Sequence, residues 1–319
     1  MTDTETDVPE PTPESAIQEA SDVVDAVIEN VETVIVGHHE EIEHIVTALL
    51  GRGHVLLEDV PGVGKTMLAR AVAESFDGSF KRVQFTPDLL PSDVTGVNVY
   101  NQKTQEFEFQ PGPIFANVVL GDEINRAPPK TQSALLEAME EEQVTVDGET
   151  HTVPQPFTVI ATQNTVEADR AYDLPMAEID RFLKKLHLGY PDHSEETEML
   201  GRVVGNHPIE ELTSVASLAD LQRARDVTAS VTVADRVRAY AADLSNYTRE
   251  HAQLGVSPRG TIGLLQAAQA RALLDGRDYV IPDDIQTEVP SVLTHRIRTS
   301  TDRTARDVVR AALSNVAVR

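Results

Sequence analysis

Residues 54–73 read HVLLEDVPGVGKTMLARAVA: a short apolar run of strand type, a glycine-rich loop and a helix-forming segment. Gly62 and Gly64 allow the loop backbone to curl without Cβ clashes, so that successive N–H groups face a phosphate at the helix N-terminus. Lys65 is expected to reach the β- and γ-phosphates, and the Thr66 hydroxyl to bind Mg²⁺. Because strand, loop and helix follow in the right order, the stretch predicts a site for ATP or GTP and not a chance glycine-rich turn.

A second apolar run, residues 118–121, ends in the two carboxylates Asp122 and Glu123. Such a run is typical of a buried parallel strand, where a carboxylate is costly unless it has a role. Asp122 is placed to hold the Mg²⁺ shell, and Glu123 is then available to polarise the attacking water. Alone, the run is equally consistent with an ordinary strand end; after a phosphate-binding loop it favours nucleotide hydrolysis.

A third run, residues 157–163, is rich in strand-forming residues and leads to Asn164, which is expected to orient the same water. The carboxyl ends of the strands form the ligand side of a doubly wound sheet, so this amide is expected to join the two carboxylates. Arg181 and Arg259 each lie where a helix can begin or end. Taken alone, each is more often a surface arginine than a functional one.

Three stretches carry a family resemblance: residues 53–66, 84–93 and 122–132. They closely resemble the MoxR family of AAA+ ATPases, and the resemblance extends from about residue 31 to residue 298. Other AAA+ groups share the phosphate loop, whereas the PPKTQS run and the TPDLL segment are specific. Three positions depart mildly from the family pattern: His38, Gly121 and Thr165.

The resemblance implies an α/β fold, a P-loop AAA+ αβα sandwich with a parallel sheet followed by a smaller all-α lid domain. It also implies an ATP-driven homo-oligomeric ring, expected to be a hexamer, that remodels or matures client proteins. Such rings often work with a von Willebrand factor A partner. The implied cofactors are ATP and Mg²⁺.

Roles for single residues follow from the same resemblance. Asn164 looks like sensor 1, Arg181 like the arginine finger and Arg259 like sensor 2, and these act with the catalytic Glu123. Whether Arg259 serves its own site or a neighbour's stays open. Nucleotide contacts are expected from the phosphate loop and from the adenine-side segment 34–37, at Gly37, Gly62, Val63, Gly64, Lys65, Thr66 and Met67. The metal is expected at Thr66 and Asp122.

Acidic residues dominate the composition. The 319-residue chain carries 52 acidic and 27 basic residues, a formal net charge of −25, and it has no Cys and no Trp. A dense carboxylate surface is typical of proteins from salt-accumulating cells, where strong screening mutes self-repulsion; an ordinary acidic cytosolic protein is the alternative. Such a surface repels phosphodiester backbones, so nucleic acid is not expected as a partner. The absence of cysteine excludes disulfides and thiolate chemistry.

The chain length predicts two domains, at about 150 residues per domain. Residues 1–13 are acidic and proline-rich and are predicted to form a disordered tail. Apolar spacing then predicts a helix packed on the ATPase domain, which is expected to span residues 14–191; helix signals predict a lid domain over residues 192–319. The sequence shows no signal peptide and no apolar stretch approaching about 18 residues, so we expect a cytoplasmic protein without a membrane span.

Two hairpins are predicted within the ATPase domain, at residues 98–109 and 143–152. In the family such inserts commonly line the pore of a ring; edge strands that never touch a client are the alternative. The histidines of segment 39–44 are five residues apart and do not share a helix face. A solvated helix is therefore favoured over a zinc site.

The sequence favours a Mg²⁺-ATP hydrolase whose site is completed between subunits, with Arg181 reaching a neighbour's γ-phosphate. The first alternative is a nucleotide-dependent scaffold with negligible turnover, and the presence of Glu123 argues against it. The second is a DNA-remodelling motor, which shares the inserts but would need a basic stripe that the sequence lacks.

Overall fold

The computed structural model describes residues 14–58, 62–163, 172–203, 208–300 and 302–318. The α-helices are α1 (Glu14–Glu32), α2 (His39–Leu50), α3 (Lys65–Ser75), α4 (Pro91–Thr95), α5 (Pro129–Glu141), α6 (Met176–Ile179), α7 (His193–Val203), α8 (Leu218–Ser230), α9 (Asp235–His251), α10 (Pro258–Leu274), α11 (Pro282–Leu293) and α12 (Ala305–Asn315). The strands are β1 (Val55–Glu58), β2 (Phe80–Gln84), β3 (Gly96–Asn101), β4 (Glu106–Pro111), β5 (Val118–Asp122), β6 (Gln143–Val146), β7 (Glu149–Thr152), β8 (Thr158–Gln163) and β9 (Lys184–Leu186).

A parallel five-stranded sheet in the order β2-β5-β8-β1-β9 lies at the centre of the α/β region, residues 39–188. Alternate residues of β1 face opposite layers: Val55 and Leu57 pack with α2 and α3, whereas Leu56 packs with α5. All residues of β8 are buried, as expected for a central strand covered by helices on both faces. The predicted αβα sandwich with a parallel sheet is confirmed.

Both predicted hairpins are present as separate two-stranded antiparallel sheets, β3–β4 and β6–β7. The turn between β6 and β7 has positive φ at Asp147 and Gly148, the backbone of a tight hairpin turn. The hairpins touch each other, because Phe109 of β4 stacks on His151 of β7 with ring centroids 3.8 Å apart. Asn98 Nδ2 also donates to Asp147 Oδ2 at 3.1 Å. They therefore form one projecting unit.

Helices α8 to α12 form the all-α lid that the sequence predicted. Helix α1 packs on α3 of the α/β region and also on α8 and α10 of the lid. Asn30 Nδ2 donates to Ser75 Oγ and to the Thr213 carbonyl, each at 3.0 Å. Ser21 Oγ donates to the carbonyl of Leu274 at 3.2 Å. Among the described residues, no helix combines the length and the apolar character that crossing a bilayer would require.

A buried ionic cluster joins the sheet edge to the lid. Lys184 Nζ of β9 lies 2.6 Å from Glu288 Oε2 of α11, and neither side chain is exposed. Arg271 Nε of α10 reaches the other carboxylate oxygen at 3.1 Å, and His44 Nδ1 of α2 lies 3.1 Å from Lys184 Nζ. His44 therefore faces this cluster, unlike the solvated position expected for it, while His39 is largely exposed. Buried charges are tolerated here because each is paired.

Candidate nucleotide-binding site

The phosphate-binding loop has the backbone geometry that its glycines predict. Gly62 and Gly64 adopt φ angles of +89° and +87°, in the left-handed region that residues with a Cβ rarely enter. Gly64 is the N-cap of α3, which begins at Lys65. Backbone N–H groups and the positive end of the helix dipole therefore face the loop, an arrangement that binds phosphate.

The phosphate cleft, as we call the cavity beside this loop, has a volume of about 310 Å³. Its lining residues are Gly62, Gly64, Lys65, Thr66, Met67, Arg82, Gln84, Asp122 and Glu123. The loop after β1 and the carboxylates at the end of β5 thus come together, because parallel strands place all their carboxyl ends on the same side of the sheet. Arg82 and Gln84 reach the same cleft from β2.

Both carboxylate oxygens of Asp122 have partners. Thr162 Oγ1, near the end of the neighbouring strand β8, donates to Asp122 Oδ1 at 2.6 Å. Arg82 Nη2 lies 2.5 Å from Oδ2 and forms a charge-assisted hydrogen bond. The orientation of this carboxylate is therefore fixed from the strands on both sides of β5.

The backbone turns sharply at Glu123, which has φ 56° and ψ 49°. This left-handed conformation is uncommon for a residue with a side chain and marks a functional or strained position. The Glu123 N–H donates to Thr162 Oγ1 at 2.8 Å. Glu123 Oε2 accepts from Gln84 Nε2 at 2.7 Å and from Arg126 Nη1 at 2.9 Å. The carboxylate is held in the cleft by two donors.

Two predicted nucleotide-contact residues, Gly37 and Val63, do not line this cleft. Gly37 has φ +70°, and a Cβ there would lie 2.5 Å from Glu195 Oε1, so the adenine-side segment packs against the start of α7. Val63 is partly buried against the apolar core. Asn164 lies outside the described residues, and its expected role stays a prediction.

Arg181 and Arg259 lie at the amino ends of the strands, whereas the phosphate cleft lies at their carboxyl ends. They line a second cavity of about 480 Å³, the arginine cavity, together with Gly53 and His54. Gly53 and His54 precede β1, whereas the phosphate loop follows it. The length of this four-residue strand therefore separates the arginine cavity from the phosphate loop by roughly 13 Å. Arg181 Nη1 lies 3.2 Å from Glu140 Oε2, and Arg259 forms an ion pair with the other oxygen of that carboxylate. The two arginines are thus paired, away from their own phosphate loop.

The residues of the phosphate cleft fit a magnesium ion. Thr66 and Asp122 both line the cleft and offer hydroxyl and carboxylate oxygens, the hard donors that Mg²⁺ prefers. Mg²⁺ usually keeps several waters and is bound by one or two carboxylates together with substrate phosphates. The donor set at the end of β5 and the start of α3 meets that requirement.

Comparisons with known proteins agree with this geometry. Family models match for the ATPase family associated with various cellular activities (AAA), at residues 54–184, and for an AAA lid domain, at residues 245–312. Chaperone MoxR1 of Mycobacterium tuberculosis is 42% identical over 289 residues, which cover 87% of this chain and 76% of that protein. The chain belongs to the MoxR family of AAA+ ATPases.

Two further comparisons extend over most of the chain. YeaC of Bacillus subtilis is 55% identical over 272 residues, or 85% of each protein. The solved structure of a candidate ATPase from Cytophaga hutchinsonii superposes with a TM-score of 0.90 at 36% identity, covering 96% of this chain and 98% of that one. As an AAA+ ATPase of the MoxR family, the chain is an ATP hydrolase, and the predicted enzyme class is confirmed.

Sequence reasoning did not predict the contacts that four polar residues make with the two carboxylates of this MoxR-family site. These residues are Arg82, Gln84, Arg126 and Thr162. The alternation of Arg82 and Gln84 around the buried Val83 predicts that both lie on one face of a strand. It does not predict that this strand pairs with the one that ends in Asp122 and Glu123.

Proposed function

We propose that this MoxR-family ATPase hydrolyses Mg²⁺-ATP to remodel or mature client protein complexes, and that it works in the cytoplasm as a ring with a von Willebrand factor A partner. The observation that carries the proposal is the separation of the candidate catalytic groups. Lys65 and Glu123 line the phosphate cleft at the carboxyl ends of the strands, whereas Arg181 and Arg259 line the arginine cavity at the amino ends. One subunit therefore carries a phosphate cleft on one side and an arginine pair on the other. A ring, expected to be a hexamer, would bring the arginine pair of one subunit to the phosphate cleft of the next.

Within one subunit, separate residues bind the phosphates, hold the metal ion and activate the water. Lys65 and the α3 N-terminus neutralise phosphate charge. Thr66 and Asp122 would hold Mg²⁺, which would supply further charge neutralisation. Glu123 accepts a proton from the attacking water as general base, and Asn164 orients that water.

Across the subunit boundary Arg181 would approach the neighbour's γ-phosphate, with Arg259 beside it. An arginine supplied from outside neutralises charge that develops only in the transition state, and it is worth about 10³-fold or more in turnover. In the single chain, Glu140 binds both guanidinium groups. A phosphate of the neighbour would replace that carboxylate as their partner.

The acidic composition favours protein clients over nucleic acid, because a net charge of −25 repels phosphodiesters. The first experiment measures ATPase activity in molar KCl with and without DNA. We expect turnover that DNA does not stimulate. Stimulation by DNA would favour a DNA-remodelling motor, and nucleotide binding without turnover would favour a scaffold.

A mixing experiment tests the shared site. Arg181→Ala and Lys65→Ala are each expected to be inactive, but a mixed ring contains interfaces where an intact phosphate loop faces an intact Arg181. We expect activity to return on mixing. Co-assembly by light scattering without recovered activity would exclude Arg181 as a group acting in trans, and Arg126 or Arg259 would become the better candidate.

A further inference from the structure

Arg296, between α11 and α12, uses all of its hydrogen-bond donors inside the protein. Only 4% of the residue is exposed. Its Nε donates to Asp180 Oδ1 at 2.7 Å, and Nη2 donates to the carbonyls of Asp180 at 3.0 Å and Phe182 at 2.7 Å. Nη1 donates to the carbonyls of Leu183, at 3.1 Å, and Val292. A guanidinium has five N–H groups, and each one has an acceptor here.

Four of these five bonds go to the segment 180–183, which contains Arg181. The carbonyls on both sides of Arg181 are therefore fixed to one buried guanidinium, while the Arg181 side chain itself extends to Leu136 O, at 2.8 Å, and to Glu140. A buried donor set of this kind defines the backbone position more firmly than apolar packing does, because each unsatisfied carbonyl would carry a desolvation cost.

Asp180 extends the same network to Arg259. Its Oδ2 accepts from Ser257 Oγ at 2.8 Å, while Oδ1 binds Arg296. Ser257 is the N-cap of α10, and its Oγ also accepts from the N–H of Gly260 at 3.1 Å. Arg259 lies in this first turn of α10, so the position of its backbone depends on the contact between Ser257 and Asp180.

Close packing reinforces the connection. A Cβ on Gly260 would lie 2.6 Å from Arg296 Cδ, so the first turn of α10 rests directly on the Arg296 side chain. Residues adjacent to each candidate catalytic arginine thus contact Arg296: Asp180 and Phe182 beside Arg181, and Gly260 beside Arg259. The side chains of both arginines bind one carboxylate, Glu140.

We propose that Arg296 is a positioning residue that fixes Arg181 and Arg259 relative to each other, so that both can approach the nucleotide of a neighbouring subunit together. This inference rests on the proposed role of Arg181 in trans. Arg296 follows α11 directly, so a movement of the lid would be carried to both arginines at once.

Lysine is expected to fail at this position. An ammonium group has three donors on one atom and no planar fork, so Arg296→Lys keeps the charge beside Asp180 but cannot bond all four acceptors of the segment 180–183. Among these acceptors the Phe182 carbonyl also lies 3.1 Å from His295 Nε2, so the Asp180 and Leu183 carbonyls are the ones most affected. We expect Arg296→Lys to bind ATP within about twofold of the wild type and to lose about 10²-fold in turnover, the usual cost of misplacing a catalytic group by about 1 Å.

The deciding readout is complementation in mixed rings. Arg296→Lys mixed with Lys65→Ala should regain activity, because the phosphate loop of Arg296→Lys is intact and Lys65→Ala supplies a well-placed arginine pair. Arg296→Lys mixed with Arg181→Ala should stay inactive, because both carry the same defective face. Adding Arg296→Lys to Arg181→Ala should lower turnover by less than about twofold further, since its effect acts through Arg181.

Arg225→Lys provides a matched control. Arg225 is also a buried arginine of the lid, 2% exposed. Its Nε donates to the Leu49 carbonyl at 2.8 Å and its Nη2 to the Phe157 carbonyl at 3.4 Å, so neither acceptor belongs to the segment 180–183. A general loss of buried hydrogen bonds would affect both variants alike, so turnover of Arg225→Lys near that of the wild type is expected. Equal losses in the two variants would overturn the proposal.

Ser257→Ala tests the inference if Arg296→Lys does not fold. It removes only the hydroxyl between Asp180 and the α10 N-terminus, and we expect about a fivefold loss of turnover with unchanged ATP affinity. Unchanged turnover in Ser257→Ala, or recovery when either variant is mixed with Arg181→Ala, would contradict the inference. Failure of the Arg181→Ala and Lys65→Ala pair to complement would instead remove the proposed function and this inference together.

Discussion

Gln84 Nε2 donates to Glu123 Oε2 at 2.7 Å, across the paired strands β2 and β5. The strand register places Gln84 opposite Asp122, one residue before Glu123. The general base proposed for hydrolysis is therefore held by a side chain from a neighbouring strand. Arg126 binds the same oxygen at 2.9 Å, so both donors hold Oε2, one of the two carboxylate oxygens that can accept from a water molecule.

Glu123→Gln should keep ATP binding and lower turnover by ~10² to 10⁴, the usual contribution of a positioned general base. The amide can still accept from Gln84 and Arg126, so the site should retain its shape. Steady-state ATPase rates and nucleotide titrations measure the two effects separately. Near-normal hydrolysis would remove Glu123 from the mechanism.

Gln84→Ala should raise the basal turnover by up to about fivefold, because a net hydrogen bond worth about 1 kcal/mol no longer restrains Glu123 Oε2. ATP affinity should stay unchanged. Arg82→Ala is the comparison variant from the same strand: it removes the donors to Asp122 Oδ2 and to Gln84 Oε1 but keeps the amide group that binds Glu123. A fall in turnover for Gln84→Ala would show that this side chain orients the base instead of restraining it.

His54 predicts a loss of stability in mild acid. Its ring is buried, Nδ1 accepts from the Val159 N–H at 3.0 Å, and Nε2 lies 3.0 Å from the Met139 carbonyl, so the neutral form is favoured. Burial lowers the pKa of His54 to about 4, from its ordinary value of 6.5. The unfolded chain binds the proton that the folded chain excludes, so stability falls as pH drops from about 6.5 to about 4.

The contribution of His54 to that loss should reach about 3 kcal/mol, at about 1.4 kcal/mol per pKa unit. Denaturant unfolding at pH 4 to 7 in molar KCl, for the wild type and for His54→Asn, isolates it because other groups titrate in both proteins. The asparagine carbonyl can still accept from the Val159 N–H. If the free energy of unfolding depended on pH identically in the two proteins, His54 would be excluded as a source of the acid sensitivity.

The acidic surface predicts stabilisation by salt. The Debye length shrinks from about 10 Å at 0.1 M to about 3 Å at 1 M, so repulsion among the carboxylates of a chain with net charge −25 is screened. The melting temperature should therefore rise with KCl into the molar range. Calorimetry between 0.1 M and 2 M KCl measures it, and a flat or falling trend would contradict adaptation to a salt-accumulating cell.

Local sequence predicted those parts of the site that lie next to each other along the chain. Gly62, Gly64 and Lys65 follow a strand and begin a helix, and their backbone conformation depends on the glycines themselves. Asp122 and Glu123 end an apolar run, and the parallel sheet brings them to the loop by the general rule that ligands bind at the carboxyl ends of strands. The order of the sheet was needed to add Arg82 and Gln84, because adjacency in β2 and β5 is a long-range pairing.

By itself the sequence determined the phosphate loop, because that loop depends on residue types at fixed short spacing. It also determined the family, through three stretches that resemble it, and that resemblance implied the parallel αβα sandwich with its lid. The tertiary structure alone decided that Arg181 and Arg259 share Glu140 and that Arg296 supports both. Asp180 and Arg296 are 116 residues apart, and no local pattern signals their contact. A buried guanidinium finds its acceptors only after the sheet, the lid and the connecting segments have packed, since burial is what makes every unpaired carbonyl costly.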